Sequence, residues 1–436
     1  MDRPGARGRG AALALVTSAL SVALVGCTAG TPATVPASAP DGVPASASAV
    51  TAPAFTSAFA ASTATSATAA PASPPASPPP PAGTPPPGIA AELQAVLDGA
   101  VGKDAPGVVA RVDLPGWSWS GAAGIAREVP RAPADPSDHA RIASVSKVFT
   151  AVAILRLAEE GKLSLDDTLD RWLPSEYLAR MNEKGFAADR ITIRDVLRHR
   201  SGIADYDEMG VLIPAQITKP DVPVTTDAAI FDGLDRGPAA YAPGDGFAYS
   251  NPGYILLTRI IDAASGATYE EYLRATILGP LGMSETYLPT DPPVRTVPEP
   301  AMHALMQTEP DGPWEDFTDL YMLWDRGSGD IISTVGDLAT FHRALREGRI
   351  IGADSFAQMR DFLPAEERFS YGMGYQRVPS PALGVALEGH NGGYPGAVTD
   401  VFYLPEHDAY ITIARNGNLV PVPVLRGLAE VLVRAP

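Results

Sequence analysis

ARIASVSKVFTAVAILRLAEEG, residues 140–161, holds the strongest local signal in the chain. Val148, Phe149, Val152, Leu155 and Leu157 recur at helical spacing and Gly161 is a natural terminator, so the pattern predicts a helix from Ser144 to Glu160. Ser144 and Lys147 stand three apart at its start, which puts both side chains on one face. The helix N-terminus adds positive potential beside the serine, where it favours a developing alkoxide or oxyanion. A serine hydroxyl is a poor nucleophile until a base takes its proton, and a lysine serves once burial or a nearby cation lowers its pKa. A serine cap followed by an exposed lysine is the plain alternative, and the pair alone does not exclude it.

Two further motifs change that weighing. Tyr249-Ser250-Asn251 is the only Tyr-x-Asn in the chain and precedes a helix predicted over Pro252 to Ala264, which ends at Gly266. His390-Asn391-Gly392 is the only His-x-Gly and precedes a predicted hairpin of Ala397 to Leu404 and Ala409 to Arg415. Singly, each has a structural reading: a packed tyrosine, an asparagine cap, a glycine turn. Three motifs, each at an element boundary, point to one site fed by three segments.

Outward from these, Ile89 to Val101 has helical spacing, Gly107 to Val112 reads as a strand, and a second strand begins at Trp117. Pro423 to Val433 closes the chain as a helix. Strands at both ends and helices between them predict an α+β fold, an antiparallel sheet built from both chain ends with terminal helices and an inserted helical lobe.

Length and charge set the frame. The chain has 436 residues, one cysteine and a formal net charge of −17. One cysteine excludes an internal disulfide and any cysteine-based cluster, and the acidic balance argues against nucleic acid as a partner. H-E-x-x-H, Walker and dinucleotide motifs are absent. Residues 1–27 read as an export signal, with Arg3, Arg7 and Arg9 ahead of an apolar run from Ala11 to Val25, too short to span a bilayer comfortably. Leu24-Val25-Gly26-Cys27 resembles the lipobox of bacterial lipoproteins, which implies lipidation of Cys27 and a membrane anchor; an ordinary cleaved signal is the alternative. Residues 28–88 collapse to Ala, Pro, Ser, Thr and Gly with Asp41 the sole charge, a disordered tether with stiff proline runs. The signal carries +2 and the tether −1, so residues 89–436 carry −18, read as a solubilising surface.

Residues 89–436 resemble the serine β-lactamase-related, penicillin-binding family, in the branch of class C β-lactamases, D-Ala-D-Ala carboxypeptidases of the secreted Streptomyces type and some esterases. Beyond the three motifs, the likeness is carried by Ala140-Arg141-Ile142-Ala143, Glu160 to Asp167, Ile191 to Arg194, Leu197 to Gly202, Pro243-Gly244, Ile331 to Thr334 with Asp337-Leu338, and Tyr371 to Tyr375. The resemblance implies Ser144 as acylated nucleophile, Lys147 assisting proton removal, and Tyr249 as partner base with a phenol pKa lowered by Lys147 and His390. It implies Asn251 holding Lys147 and contacting the substrate amide, His390 in place of a strand lysine, and an oxyanion hole from the N–H groups of Ser144 and Gly393. No metal or organic cofactor is implied.

The chain also departs from that pattern. Asn391 and Gly393 stand where the carboxypeptidases carry hydroxyls that bind a terminal carboxylate, and Arg377 is only a displaced substitute for their basic residue. His199 and Ser201 are read as structural, His139, His303, His342 and His407 as surface or packing groups. The expected activity is that of an exported D-alanyl-D-alanine carboxypeptidase-like enzyme of cell-wall peptides, held outside the bacterial membrane. A β-lactamase, an esterase or D-aminopeptidase of the same family, and a non-catalytic wall-binding lipoprotein are the alternatives, with a small peptide, β-lactam or ester as substrate. Oligomeric state is not legible, nor is a lid role for Asp207 to Pro223.

Overall fold

Strands from both ends of the chain build one nine-stranded antiparallel sheet. In this computed structural model the described residues are 83–435, apart from 103, 207–211, 213–223, 290–296, 310, 321–322 and 421. The export segment with Cys27, the tether through residue 82 and nearly all of Asp207 to Pro223 therefore lie outside the described residues.

The sheet comprises β1 (Gly107–Leu114), β2 (Trp117–Arg127), β3 (Ala132–Pro133), β4 (Leu363–Glu366), β5 (Phe369–Tyr371), β6 (Gln376–Ser380), β7 (Val385–Tyr394), β8 (Ala397–Leu404) and β9 (Ala409–Asn416), in the order β3-β2-β1-β9-β8-β7-β6-β5-β4. The N-terminal hairpin is zipped to the C-terminal one through β1 and β9, in register from Gly107 opposite Asn416 to Asp113 opposite Tyr410. The expected pairing of the two chain ends is thus present.

Alternation along the strands fixes what each face buries. Val108, Ala110 and Val112 of β1 with Ile411 and Ile413 of β9 face two terminal helices, α1 (Pro87–Ala100) and α5 (Val424–Arg434), which contribute Leu93, Leu97, Leu428 and Leu432. Each such leucine, wholly buried, stabilises the fold by about 2 kcal/mol. The tether boundary expected at residue 88 shifts, because α1 already begins at Pro87, a residue suited to a first helical turn, and Gly83 bridges to Trp117.

The opposite face carries the helical lobe. Ala397 and Val401 of β8 join the core of α2 (Ser146–Glu159), in which every residue from Val148 to Leu155 is buried. A helix apolar on all sides must be enclosed, and α2 is enclosed by α3 (Asn251–Ser265) and α4 (Val335–Arg346), with Phe149 stacked on Phe341 at 3.8 Å between ring centroids. Among the described residues no helix is long and apolar enough to cross a membrane.

Candidate active site

The helix expected from Ser144 starts instead as a 3₁₀ turn, Ala143–Val145, that feeds α2. Ala143 is held at φ 46°, in the left-handed region that costs an L-residue about 1 kcal/mol or more. Strand β7 lies against this turn. A Cβ on Gly392 would stand 2.3 Å from the Ile142 carbonyl oxygen and 2.9 Å from the Ser144 nitrogen, so only glycine allows that approach. Ser144 is half-buried and Lys147, one turn on, is wholly buried.

Four oxygens surround the Lys147 Nζ: Ser144 Oγ at 3.0 Å, Asn251 Oδ1 at 2.5 Å, the Ser328 carbonyl at 2.8 Å and Ser328 Oγ at 3.0 Å. The amine also lies 4.9 Å from the Tyr249 ring centroid and 5.6 Å from that of Tyr254, close enough for the ring faces to attract a cation. Ser250 caps α3 by accepting from the Gly253 N–H at 3.1 Å, which frees Asn251 to face inward. Asn251 gives its amide oxygen to Lys147 and its NH₂ to Asp205 Oδ2 at 3.2 Å, while its backbone N–H donates to Asp205 Oδ1 at 3.0 Å. That orientation follows from the partners, since an amine needs an acceptor and a carboxylate needs donors. Behind them Tyr206 donates to Asp325 Oδ1 at 2.6 Å. Burial pushes the Asp205 carboxyl up to about 6, against the opposing pull of the Asn251 N–H and of Lys147, and burial likewise raises Asp325.

Tyr249 hydrogen-bonds Ser144, yet burial pushes its phenol well above the ordinary tyrosine range. The expectation of a lowered phenol pKa is therefore corrected: desolvation outweighs the lowering by the Ser144 hydrogen bond, and Asp205 raises the phenol further. His390 does not supply the second contact expected of it. Its Nε2 meets the Tyr371 hydroxyl at 3.0 Å and its Nδ1 meets the Asn391 carbonyl at 2.5 Å. Burial and then Lys147 hold the imidazole down to about 3, so it is neutral at physiological pH.

Ser144, Lys147, Tyr249 and Asn251 are thus brought together, with His390 one residue away through Tyr371. The other predicted residues lie further out. Gly393 is half-buried on β7 beside the nucleophile turn, whereas Asn391 is exposed and offers only its carbonyl. Arg377 is exposed on β6 in register with Glu388, and no hydrogen bond or ion pair among the described residues joins it to the cluster. Glu388 is claimed instead by Arg346 and Arg360.

Sequence reasoning missed Ser328, Asp205, Asp325 and Tyr371, and read His199 as merely structural. His199 lies with its ring centroid 4.1 Å from that of Tyr249. Asp325-Arg326-Gly327-Ser328-Gly329-Asp330 has the composition of a tight turn, the one signal that marks this segment in the sequence. Three of the four remaining histidines have partners away from the cluster: His139 with Glu285, His303 with Asp316 and Glu299, His342 with Tyr375. Among the described residues no group of three or more His, Cys, Asp or Glu side chains is placed to share a metal ion.

Comparison with known proteins bears on the family and the fold. The Beta-lactamase family model matches residues 52–432. Penicillin-binding protein 4* of Bacillus subtilis (strain 168) is 34% identical over 282 residues, 61% of this chain and 58% of that protein. The chain spans little more than half the length of the curated relatives it matches first. A D-stereospecific amidohydrolase from Streptomyces sp. superposes with a TM-score of 0.69 at 26% identity, covering 78% of this chain and 97% of that one. The D-amino acid amidase from Ochrobactrum anthropi SV3 superposes with a TM-score of 0.67 at 27% identity, covering 80% of this chain and 97% of its own. With a family model spanning nearly the whole sheet-and-lobe unit and a buried lysine bonded to a serine at its centre, the chain belongs to the β-lactamase family and has the β-lactamase/transpeptidase-like fold.

Proposed function

We propose that this protein is a serine hydrolase that cleaves amides of D-amino acids through an acyl-enzyme on Ser144, and that it does not depend on a free carboxylate in its substrate. One observation carries the reading: among the described residues Lys147 is the only cationic side chain bonded to the nucleophile cluster, and it is already committed to four oxygens. His390 is neutral, Arg377 is exposed beside Glu388, and the carboxylate-binding hydroxyls are replaced by Asn391 and Gly393. A substrate carboxylate would therefore be desolvated without compensation. The resemblance to structures titled as D-amino acid amidases supports the same class. A D-Ala-D-Ala carboxypeptidase activity is the second reading, favoured by the likeness to penicillin-binding protein 4*.

The chemistry follows from the contacts. Asn251 Oδ1 and the Ser328 carbonyl can only accept, so they take two N–H bonds of Lys147. The remaining position faces the hydroxyls of Ser144 and Ser328. Because burial keeps Tyr249 protonated, the amine of Lys147 acts in its neutral form: its lone pair takes the Ser144 proton, giving the ammonium, as Oγ attacks the carbonyl carbon. The C–N bond then breaks as Tyr249 protonates the leaving nitrogen and is reprotonated from Lys147. Water attacks the ester, restores the Ser144 hydroxyl and releases the acid. The N–H groups of Ser144 and Gly393 form the oxyanion hole in this reading, worth about 3 kcal/mol each.

Intact-protein mass spectrometry tests this after mixing with a D-amino acid amide, an acyl-D-Ala-D-Ala peptide and a penicillin. The expected result is an adduct located on Ser144, fastest turnover of the amide, and a loss of roughly 10⁴-fold or more in Ser144→Ala. Turnover of the peptide tenfold better than the amide would favour the carboxypeptidase reading instead.

A pH dependence follows from Asp205. Its raised pKa means that below about pH 6 one carboxyl oxygen gains a proton and no longer accepts from Asn251. We expect kcat/KM to fall on the acid side of about pH 6, approaching tenfold per pH unit, and that limb to flatten in Asp205→Asn. An unchanged limb in the variant assigns it to another group.

The address is inferred from sequence alone. The basic start, the apolar run and the box ending at Cys27 support export and a lipid anchor, with the tether read over residues 28–88 as a spacer. Metabolic labelling with a fatty acid, lost in Cys27→Ser, tests it.

A further inference from the structure

Behind the catalytic cluster runs a line of four hydrogen bonds whose directions are all determined. The Ser250 backbone N–H can only donate, and it meets His199 Nδ1 at 3.1 Å. His199 Nδ1 is therefore bare and its proton is on Nε2, which donates to the Tyr371 hydroxyl oxygen at 3.2 Å. At the other end the Asn391 carbonyl can only accept, so the proton of His390 is on Nδ1, 2.5 Å away. His390 Nε2 is then a bare acceptor, and the Tyr371 hydroxyl, at 3.0 Å, donates to it.

We infer that Tyr371 is a positioning residue: its single hydroxyl joins two neutral imidazoles of opposite tautomer and so clamps the Tyr249–Asn251 segment to strand β7. The inference deepens the Ser144 reading, since the two ends of the line are the backbone of Ser250, between Tyr249 and Asn251, and that of Asn391, two residues before Gly393. The spacing between the proton-transfer groups and the proposed oxyanion edge is set through it. The surroundings hold the imidazoles neutral. Both are buried, His199 is packed among Phe247, Tyr249, Tyr254 and Tyr371, and Lys147 opposes a positive charge on either ring. The Tyr254 hydroxyl also meets that of Tyr371, but its own proton goes to the Leu197 carbonyl at 2.6 Å, so toward Tyr371 it can only accept and it does not replace Tyr371 as the donor to His390.

Long-range ¹H–¹⁵N spectra of ¹⁵N-histidine-labelled protein at neutral pH read the tautomers directly, with His199→Gln and His390→Gln used for assignment. The expected result is an Nδ1–H imidazole at His390 and an Nε2–H imidazole at His199; two like tautomers, or an imidazolium at either, would overturn the inference. Tyr371→Phe keeps the ring and its packing. It should lower kcat/KM by about tenfold, mostly in kcat, and let the His390 tautomer become mixed. Unchanged kinetics in that variant would refute the positioning role even with the tautomers as stated. The spectra need no substrate, so a wrong substrate class leaves this test intact, and a wrong tautomer leaves the acyl-enzyme standing.

Discussion

Lys147→Ala should reduce kcat/KM by roughly 10³- to 10⁴-fold while leaving the fold intact, because it removes the one amine among the described residues that is bonded to the Ser144 hydroxyl. The side chain is wholly buried and its loss orphans the Ser328 carbonyl, while Asn251 Oδ1 keeps one donor, the Ser328 hydroxyl at 2.7 Å. The orphaned carbonyl costs about 1–3 kcal/mol, so a stability loss accompanies the kinetic one and has to be measured beside it. Lys147→Arg separates the two effects. A guanidinium restores donors to both oxygens but cannot take up a proton, so a base role for Lys147 predicts that this variant stays as inactive as Lys147→Ala. If Lys147→Arg recovered most of the acylation rate, measured as the pre-steady-state burst, the lysine would be an electrostatic prop. The Ser144 proton would then have to pass to Tyr249, against the burial that keeps its phenol protonated.

The sheet was legible because its strands alternate on both faces and because the motifs fall at element ends. Val108, Ala110 and Val112 against Val109 carry the two-residue period, and α2 declares itself by an apolar run from Val148 to Leu155 broken only by Thr150. The three-motif order likewise brought Ser144, Lys147, Tyr249 and Asn251 to one place. What stayed hidden depends on tertiary contact alone. Ser328 touches Lys147 across 181 positions, and Tyr371 touches His199 across 172, distances over which no periodicity or spacing rule operates. The phenol of Tyr249 was misjudged for a related reason. Its motif shows a cation nearby, but how much water the folded chain removes is not written in neighbouring residues. His199 was under-read because its value lies in a positive φ of 55° and a backbone partner, Ser250, 51 positions on.

The largest stability effect is expected at Arg326, which fixes the turn that presents Ser328 to Lys147. Its guanidinium is bidentate to Glu270, at 2.8 Å through both Nε and Nη2, and bidentate to Asp262, at 2.8 and 2.9 Å, with Thr258 Oγ1 at 3.1 Å. Arg326 and Glu270 are 6% and 3% exposed, so the pair is desolvated, whereas Asp262 keeps contact with water. Next to it Gly327 sits at φ 71°, where a Cβ would come within 2.2 Å of Thr258 Cγ2, and its carbonyl accepts from Thr150 at 2.6 Å. The turn is thereby tied to α2, to α3 and to the helix that carries Glu270. Arg326→Met takes the guanidinium from the buried Glu270, and removing one member of a buried ion pair costs about 3–5 kcal/mol. The midpoint of urea unfolding should fall accordingly. The double variant Arg326→Met/Glu270→Met removes both charges and should recover most of that loss, since an apolar pair of similar volume often equals a buried ion pair. Activity should not recover in step: without Arg326 the turn loses its ties to Asp262 and Thr258, Ser328 is no longer held against Lys147, and kcat stays low in the restabilised protein. Full activity together with restored stability would show that the turn needs no ionic anchor to place Ser328, and that the cluster serves the fold alone.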